Sequence, residues 1–246
     1  MALKNLERLH ASVRAVVETY CERLVSALGA RVKAISVYGS ATGPDYIPGK
    51  SNVNLVVVVD RPDQGLLASM LDIVKWGKKK RIVPPLVLTR QYIESSLDVF
   101  PIEFVEIKET HVLLMGEDHF TSLEASHEHL RLECESQLKA AVLRTRQSYL
   151  EVGLMKKGAE GVLHASLTSL IPVFRVMLRI KGVEVPRRKL DVVNAVGEAF
   201  GVDPEPFAAI LRDKAGDEKI GGKEAGDVLA RYIMDIEDLA SKVDRL

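Results

Sequence analysis

Between Val37 and Asp60 the chain reads VYGSATGPDYIPGKSNVNLVVVVD. Gly39-Ser40 closes one apolar, β-branched run, and Asn52-Val53-Asn54 opens another. Residues two apart on an extended strand share a face, so Asn52 and Asn54 present their amides to the same side. Each amide offers a carbonyl oxygen and two N–H donors but no charge. Mg2+ sheds water reluctantly and is ordinarily held by one or two carboxylates together with substrate phosphates. Two amides are a weak grip on such an ion. The nearest acid within the loop, Asp45, reads as a turn residue.

The elements that must position these residues follow from periodicity. Leu6, Leu9, Val13, Val16, Val17, Tyr20, Leu24 and Leu28 recur at helical spacing, which predicts a helix from Leu3 to about Leu28, stopped by Gly29. VKAISVYGS is a strand. NVNLVVVVD is a second strand, apolar on both faces from Val56 onward, as a strand covered on both sides would be. QGLLASMLDIVKWGKKKR reads as a helix with Leu67, Met70, Leu71, Val74 and Trp76 inward. PPLVLT is a third strand. VFPIEFVEIKETHVLLMGED supplies one or two further extended pieces, although IEFVEI also fits a helical turn. Beyond about Leu123 strands give way to long helical stripes: Leu130, Cys134, Leu138, Ala141, Val142 and Tyr149, then Val162, Leu163, Leu167, Leu170, Ile171, Phe174 and Leu178, with Pro172 as an expected kink. Three shorter helices follow. The expected division is an α/β head, residues 1–121, and an α-helical bundle, residues 122–246.

With these residues in place, the head resembles the nucleotidyltransferase superfamily that includes DNA polymerase β and the aminoglycoside adenylyltransferases. Gly39-Ser40 matches that family's Gly-Ser element, and Asn52-Val53-Asn54 falls where it carries Asp-x-Asp. The resemblance implies an α+β fold with a small mixed sheet, flanking helices and a helical partner domain. It implies that Gly39 and Ser40 bind nucleotide phosphates through N–H and hydroxyl donors. It implies that the positions of Asn52 and Asn54 are metal-ligand positions, and that a third acid on a neighbouring strand activates the attacking hydroxyl. Glu103 is the candidate for that acid, with Glu106 a weaker one. The family's two-metal clamp stabilises attacking and leaving oxygens together, and here the anionic half of it is replaced by neutral amides.

Composition narrows the partners. Thirty-four Lys and Arg balance thirty-four Asp and Glu, and aromatic residues are 5%. Neither a global positive field nor a supply of stacking rings favours a nucleic-acid polymer. No signal-peptide pattern or membrane-span run stands out, and Cys21 and Cys134 fit buried free thiols in a reducing compartment, so a cytoplasmic protein with no membrane partner is expected. The basic runs at 78–81 and 187–189 fit solvated helix ends first, with a phosphate or acidic-partner contact as the lesser alternative. His127 and His129, two apart on a helix, do not share a face.

The expected function is a nucleotidyltransferase-like protein that has lost catalysis but keeps a nucleotide-binding or interaction cleft, with Mg2+ only where nucleotide binding or activity persists. The alternative is an active enzyme moving a nucleoside monophosphate from a triphosphate to a small-molecule or protein hydroxyl, with Glu103 as its base.

Overall fold

The computed structural model describes residues 3–152, 154–155, 158–221 and 223–246. The chain divides into two compact units, residues 1–125 and 126–246.

In the first unit the strands are β1 (Val32–Tyr38), β2 (Asn54–Val59), β3 (Leu86–Leu88) and β4 (Val112–Gly116), and the helices are α1 (Arg14–Leu28), α2 (Gln64–Lys78), α3 (Arg90–Ser95) and α4 (Pro101–Thr110). The sheet order is β3-β2-β1-β4. β1 pairs antiparallel with β2 and β4, and β2 runs parallel to β3, so the sheet is mixed. Alternation along the strands divides the core into two layers. Ile35, Val37, Leu55 and Val57 pack with Val17, Tyr20 and Leu24 of α1 and with Leu66 and Met70 of α2. Ala34, Val56 and Val58 point the other way, onto Ile93 of α3, Phe104 and Ile107 of α4, and Phe120. The buried β-branched run of β2 is thus covered on both faces, as its composition requires.

Three readings from sequence are corrected here. The first helix starts at Arg14, not Leu3, because Asn5 adopts a left-handed conformation and the segment before α1 forms two short 3-10 turns. That segment is tied to the sheet, with Lys4 N–H donating to the Leu114 carbonyl at 2.9 Å and Asn5 Nδ2 to the Leu113 carbonyl at 2.8 Å. On α2 the buried face is Leu66, Met70, Ile73 and Gly77, whereas Leu67 and Leu71 are exposed. Asp63 caps the helix, its carboxylate accepting from Leu66 N–H at 2.9 Å, and Leu66, Met70 and Ile73 join the core formed with α1 and the sheet. IEFVEI is helical: Pro101 sits at the start of α4, where its fixed φ and missing N–H are tolerated.

The second unit is α5 (His127–Val152), α6 (Gly158–Ile180), α7 (Lys189–Phe200), α8 (Glu205–Ala215) and α9 (Lys223–Val243). Phe174, Phe207 and Tyr232 meet edge-on at its centre, with ring centroids 5.3 and 5.5 Å apart. The buried Tyr232 hydroxyl donates to Ser166 Oγ at 2.9 Å, and Ser166 also bonds Thr145 Oγ1 at 2.8 Å, so this core polar group is satisfied. Tyr149, expected on the α5 stripe, is exposed. By length and composition α6 would span a membrane, but 56% of its most apolar window is buried inside the protein.

Candidate functional site

β1 ends at Tyr38 and the chain turns sharply at Gly39, whose φ of 76° lies in the left-handed region that favours glycine. A side chain there would also come within 3.1 Å of Asn54 Nδ2, so glycine lets Asn54 lie against the turn. Residues Gly39–Thr42 form a 3-10 turn that no side chain caps at its N-terminus. The C-terminal end of α4 clasps it. Gly39 N–H donates to Thr110 Oγ1 at 2.9 Å, and Thr42 Oγ1 donates to the Thr110 carbonyl at 2.6 Å. One backbone donor expected to face a ligand is therefore committed inside the protein. The half-buried Ser40 remains: among the described residues none takes a hydrogen bond from its hydroxyl.

Asn54 opens β2 opposite Tyr38 and is half-buried. Asn52 is exposed and lies before the strand, not within it; Val53 between them makes a single parallel bridge to Ile82. Asn52 lines an open cavity of about 430 Å³ with Lys78, Lys79, Arg81, Ile82, Val83 and Pro84. Its charged neighbours there are cations.

Glu103 is exposed on the first turn of α4, a correction to the extended segment expected for it. Glu103 and Glu106 are three apart, so they share one side of the helix. Their charges reach Tyr38: burial first, then Glu106 and Glu103, push its hydroxyl up to about 12. The two glutamates thus approach the residue that precedes the Gly-Ser turn and pairs with Asn54. The strand flanking β2 on its other side is β3, and its residues are Leu86, Val87 and Leu88. No Asp or Glu stands on any of the four strands.

Thr110 as a clasp, and Lys78, Lys79 and Arg81 as neighbours of Asn52, were not placed by sequence reasoning. The Pro101 start and the helical spacing of Ile102 and Val105 were the signals for α4. Among the described residues no three His, Cys, Asp or Glu side chains gather to hold a metal. His111 Nε2 meets Asp118 Oδ2 at 3.1 Å and His164 Nε2 meets Asp213 Oδ2 at 2.5 Å, each an intramolecular pair.

A mixed four-stranded sheet between helices, a Gly-Ser turn leaving its central strand, and an all-helical C-terminal region together make an α+β nucleotidyltransferase-like fold. The structure is similar to that of spectinomycin adenyltransferase AAD(9) from Enterococcus faecialis, solved with ATP and spectinomycin, at a TM-score of 0.61 and 14% identity, over 92% of this chain and 97% of that one. At that identity the likeness concerns fold alone. No protein-family profile matches the chain, and no curated protein sequence matches it.

Proposed function

We propose that this protein is a nucleotidyltransferase-fold binder of nucleotides in which Asn52 and Asn54 occupy the positions of the family's Asp-x-Asp and the transfer reaction has been lost. One observation carries the reading: all four strands lack Asp and Glu, including β2, which opens against Gly39, and β3 beside it. A transferase of this family needs anionic ligands on that surface for Mg2+. Amide carbonyls 52 and 54, with Lys78, Lys79 and Arg81 around the first of them, do not fit a divalent cation. The residues present instead suit a phosphate group. Ser40 donates its hydroxyl to a phosphate oxygen, the left-handed Gly39 lets that group come close to the backbone, and Asn54 offers Nδ2 from the facing strand.

Titration of ATP and GTP into the protein by calorimetry tests this. Binding is expected for at least one of them, with Ser40→Asp weakening it about tenfold or more by setting a carboxylate against the phosphates. Incubation with labelled nucleotide should leave no acceptor labelled. The second reading, an active transferase, draws on the approach of Glu103 and Glu106 to Tyr38; transfer of label that disappears in Glu103→Ala would establish it in place of the first.

A further inference from the structure

The C-terminal end of α2 carries a feature that its role as a helix terminus does not require. After Lys78 the backbone reverses through Lys79 and Lys80 to Arg81, whose φ is 61°. Ile82 N–H donates back to the Gly77 carbonyl at 3.0 Å and Arg81 N–H to the Lys78 carbonyl at 3.3 Å. This is the paired hydrogen-bond closure of a helix that normally places glycine, or asparagine, at the left-handed position. An arginine there holds its backbone in a conformation that costs any residue bearing a Cβ. Complementing the helix dipole does not explain it, since Lys75 and Lys78 already occupy the last turn and the dipole's influence fades beyond it.

The reversal is pinned to the start of β2. Val53 N–H donates to the Arg81 carbonyl at 2.9 Å, and Val83 N–H donates to the Val53 carbonyl at 3.1 Å. Asn52, next to Val53, therefore shares one cavity with Lys78, Lys79 and Arg81, walled on the apolar side by Ile82, Val83 and Pro84. Among the described residues no carboxylate forms an ion pair with any of the three cations, and Arg81 Nη1 reaches only the Lys50 carbonyl, at 3.4 Å. At about 430 Å³ the cavity is the size of a small-molecule site. Three like charges held together without a counter-charge raise the local potential and attract a multiply charged anion.

We propose that this pocket binds the phosphate chain of a polyphosphorylated small molecule directly, by Lys78, Lys79, Arg81 and the Asn52 amide, without a divalent metal. As the phosphate subsite of a nucleotide it rests on the binding function proposed above; as a polyphosphate site it stands on the pocket alone. A chain of two or three phosphates matches three cations drawn from neighbouring positions, and the arginine fork pairs with phosphate oxygens two at a time. The neutrality of Asn52 then has its own logic: a carboxylate there would repel the ligand.

The test is calorimetric titration of inorganic tripolyphosphate into the full-length protein in EDTA. Binding is expected without metal, weakened at least about tenfold by Arg81→Gly and by the double change Lys78→Ala, Lys79→Ala. Asn52→Asp should weaken it as well, the opposite of what a metal-ligand position would do in the presence of Mg2+. Arg81→Gly relieves the left-handed residue, so its melting temperature should equal or exceed that of the unmutated protein, which separates loss of ligand from loss of fold. Absence of binding in EDTA, or unchanged affinity in Arg81→Gly, overturns the proposal. ATP separates the two readings. Binding of ATP that depends on Ser40 but not on Arg81 would end the pocket proposal and leave the nucleotide reading intact. Tripolyphosphate binding through Arg81 with no binding of ATP or GTP would end the nucleotide reading and leave the pocket as the site of another polyphosphate.

Discussion

Asn52 and Asn54 differ in their surroundings more than their two-residue spacing suggests. Asn54 lies in the sheet against Gly39, and Asn52 stands outside it beside three cations. Converting both, Asn52→Asp with Asn54→Asp, tests each environment. We expect the double variant to gain at most millimolar Mg2+ affinity, because the new carboxylate at position 52 pairs first with Lys78 or Arg81, a conclusion that Mg2+ calorimetry checks. Gly39-Ser40 and the pair Asn52 and Asn54 stand out in the sequence because they follow and precede apolar runs. Their cationic company was not, because nothing in the sequence brings position 81 alongside position 53. A second titratable residue departs from its ordinary behaviour. Burial first, then the charges of Asp203 and Asp238, raise the Asp235 carboxyl to about 6 against the opposing pull of Arg231 and Lys242. Its Oδ2 is buried with no hydrogen-bond partner among the described residues. The folded state therefore binds a proton that the unfolded chain, with an ordinary value of 3.8, has released. Stability from this group falls as pH rises from about 4 to about 6 and stays lower above that window. Asp235→Asn should accordingly raise stability by about 1 kcal/mol at neutral pH, a figure already reduced for solvent screening of a partly exposed group, and have little effect near pH 4. Thermal melts at the two pH values measure it.

At the scale of elements, α4 is the piece whose nature changes the site. Its segment is rich in apolar residues on several sides, with Pro101, Ile102, Phe104, Val105 and Ile107 all buried, so the amphipathic signal that separates helix from strand is weak. The phase of α2 is ambiguous in the sequence for a related reason: Leu67 and Leu71 are as apolar as Leu66 and Ile73, and packing against α1 and the sheet makes the choice. β2, with its long run of valines, was legible because burial on both faces demands that composition. Two substitutions test how α4 holds the Gly-Ser turn and how β4 closes on the start of β1. Thr110→Val removes the acceptor of Gly39 N–H and should cost about 1–3 kcal/mol in denaturant melts. Gly116→Ala should cost about 3 kcal/mol or more, because φ there is 82° and an added Cβ would lie 1.8 Å from the Lys33 carbonyl oxygen. Backbone cannot yield at that spot as a flexible side chain could.

Over the whole molecule, the change of character near Leu123 from strand-forming to helix-forming sequence was visible because period-2 and period-3.6 patterns do not overlap there. The helical half was read most fully: every residue of the expected α6 stripe is buried, from Val162 to Leu178. What joins those helices is aromatic packing that spacing alone does not reveal, since Phe174, Phe207 and Tyr232 are contributed by three different helices. Phe207→Ala should destabilise this unit by about 3–5 kcal/mol, seen as an earlier loss of helical circular dichroism in denaturant. On the function proposed above charge decides the protein's chemistry: the neutral Asn52 and Asn54 are not expected to hold a divalent cation on their own. Calorimetric titration of Mg2+ into the nucleotide-free protein tests this most directly. No binding tighter than roughly millimolar is expected from neutral ligands beside three cations; saturable binding in the micromolar range would contradict it.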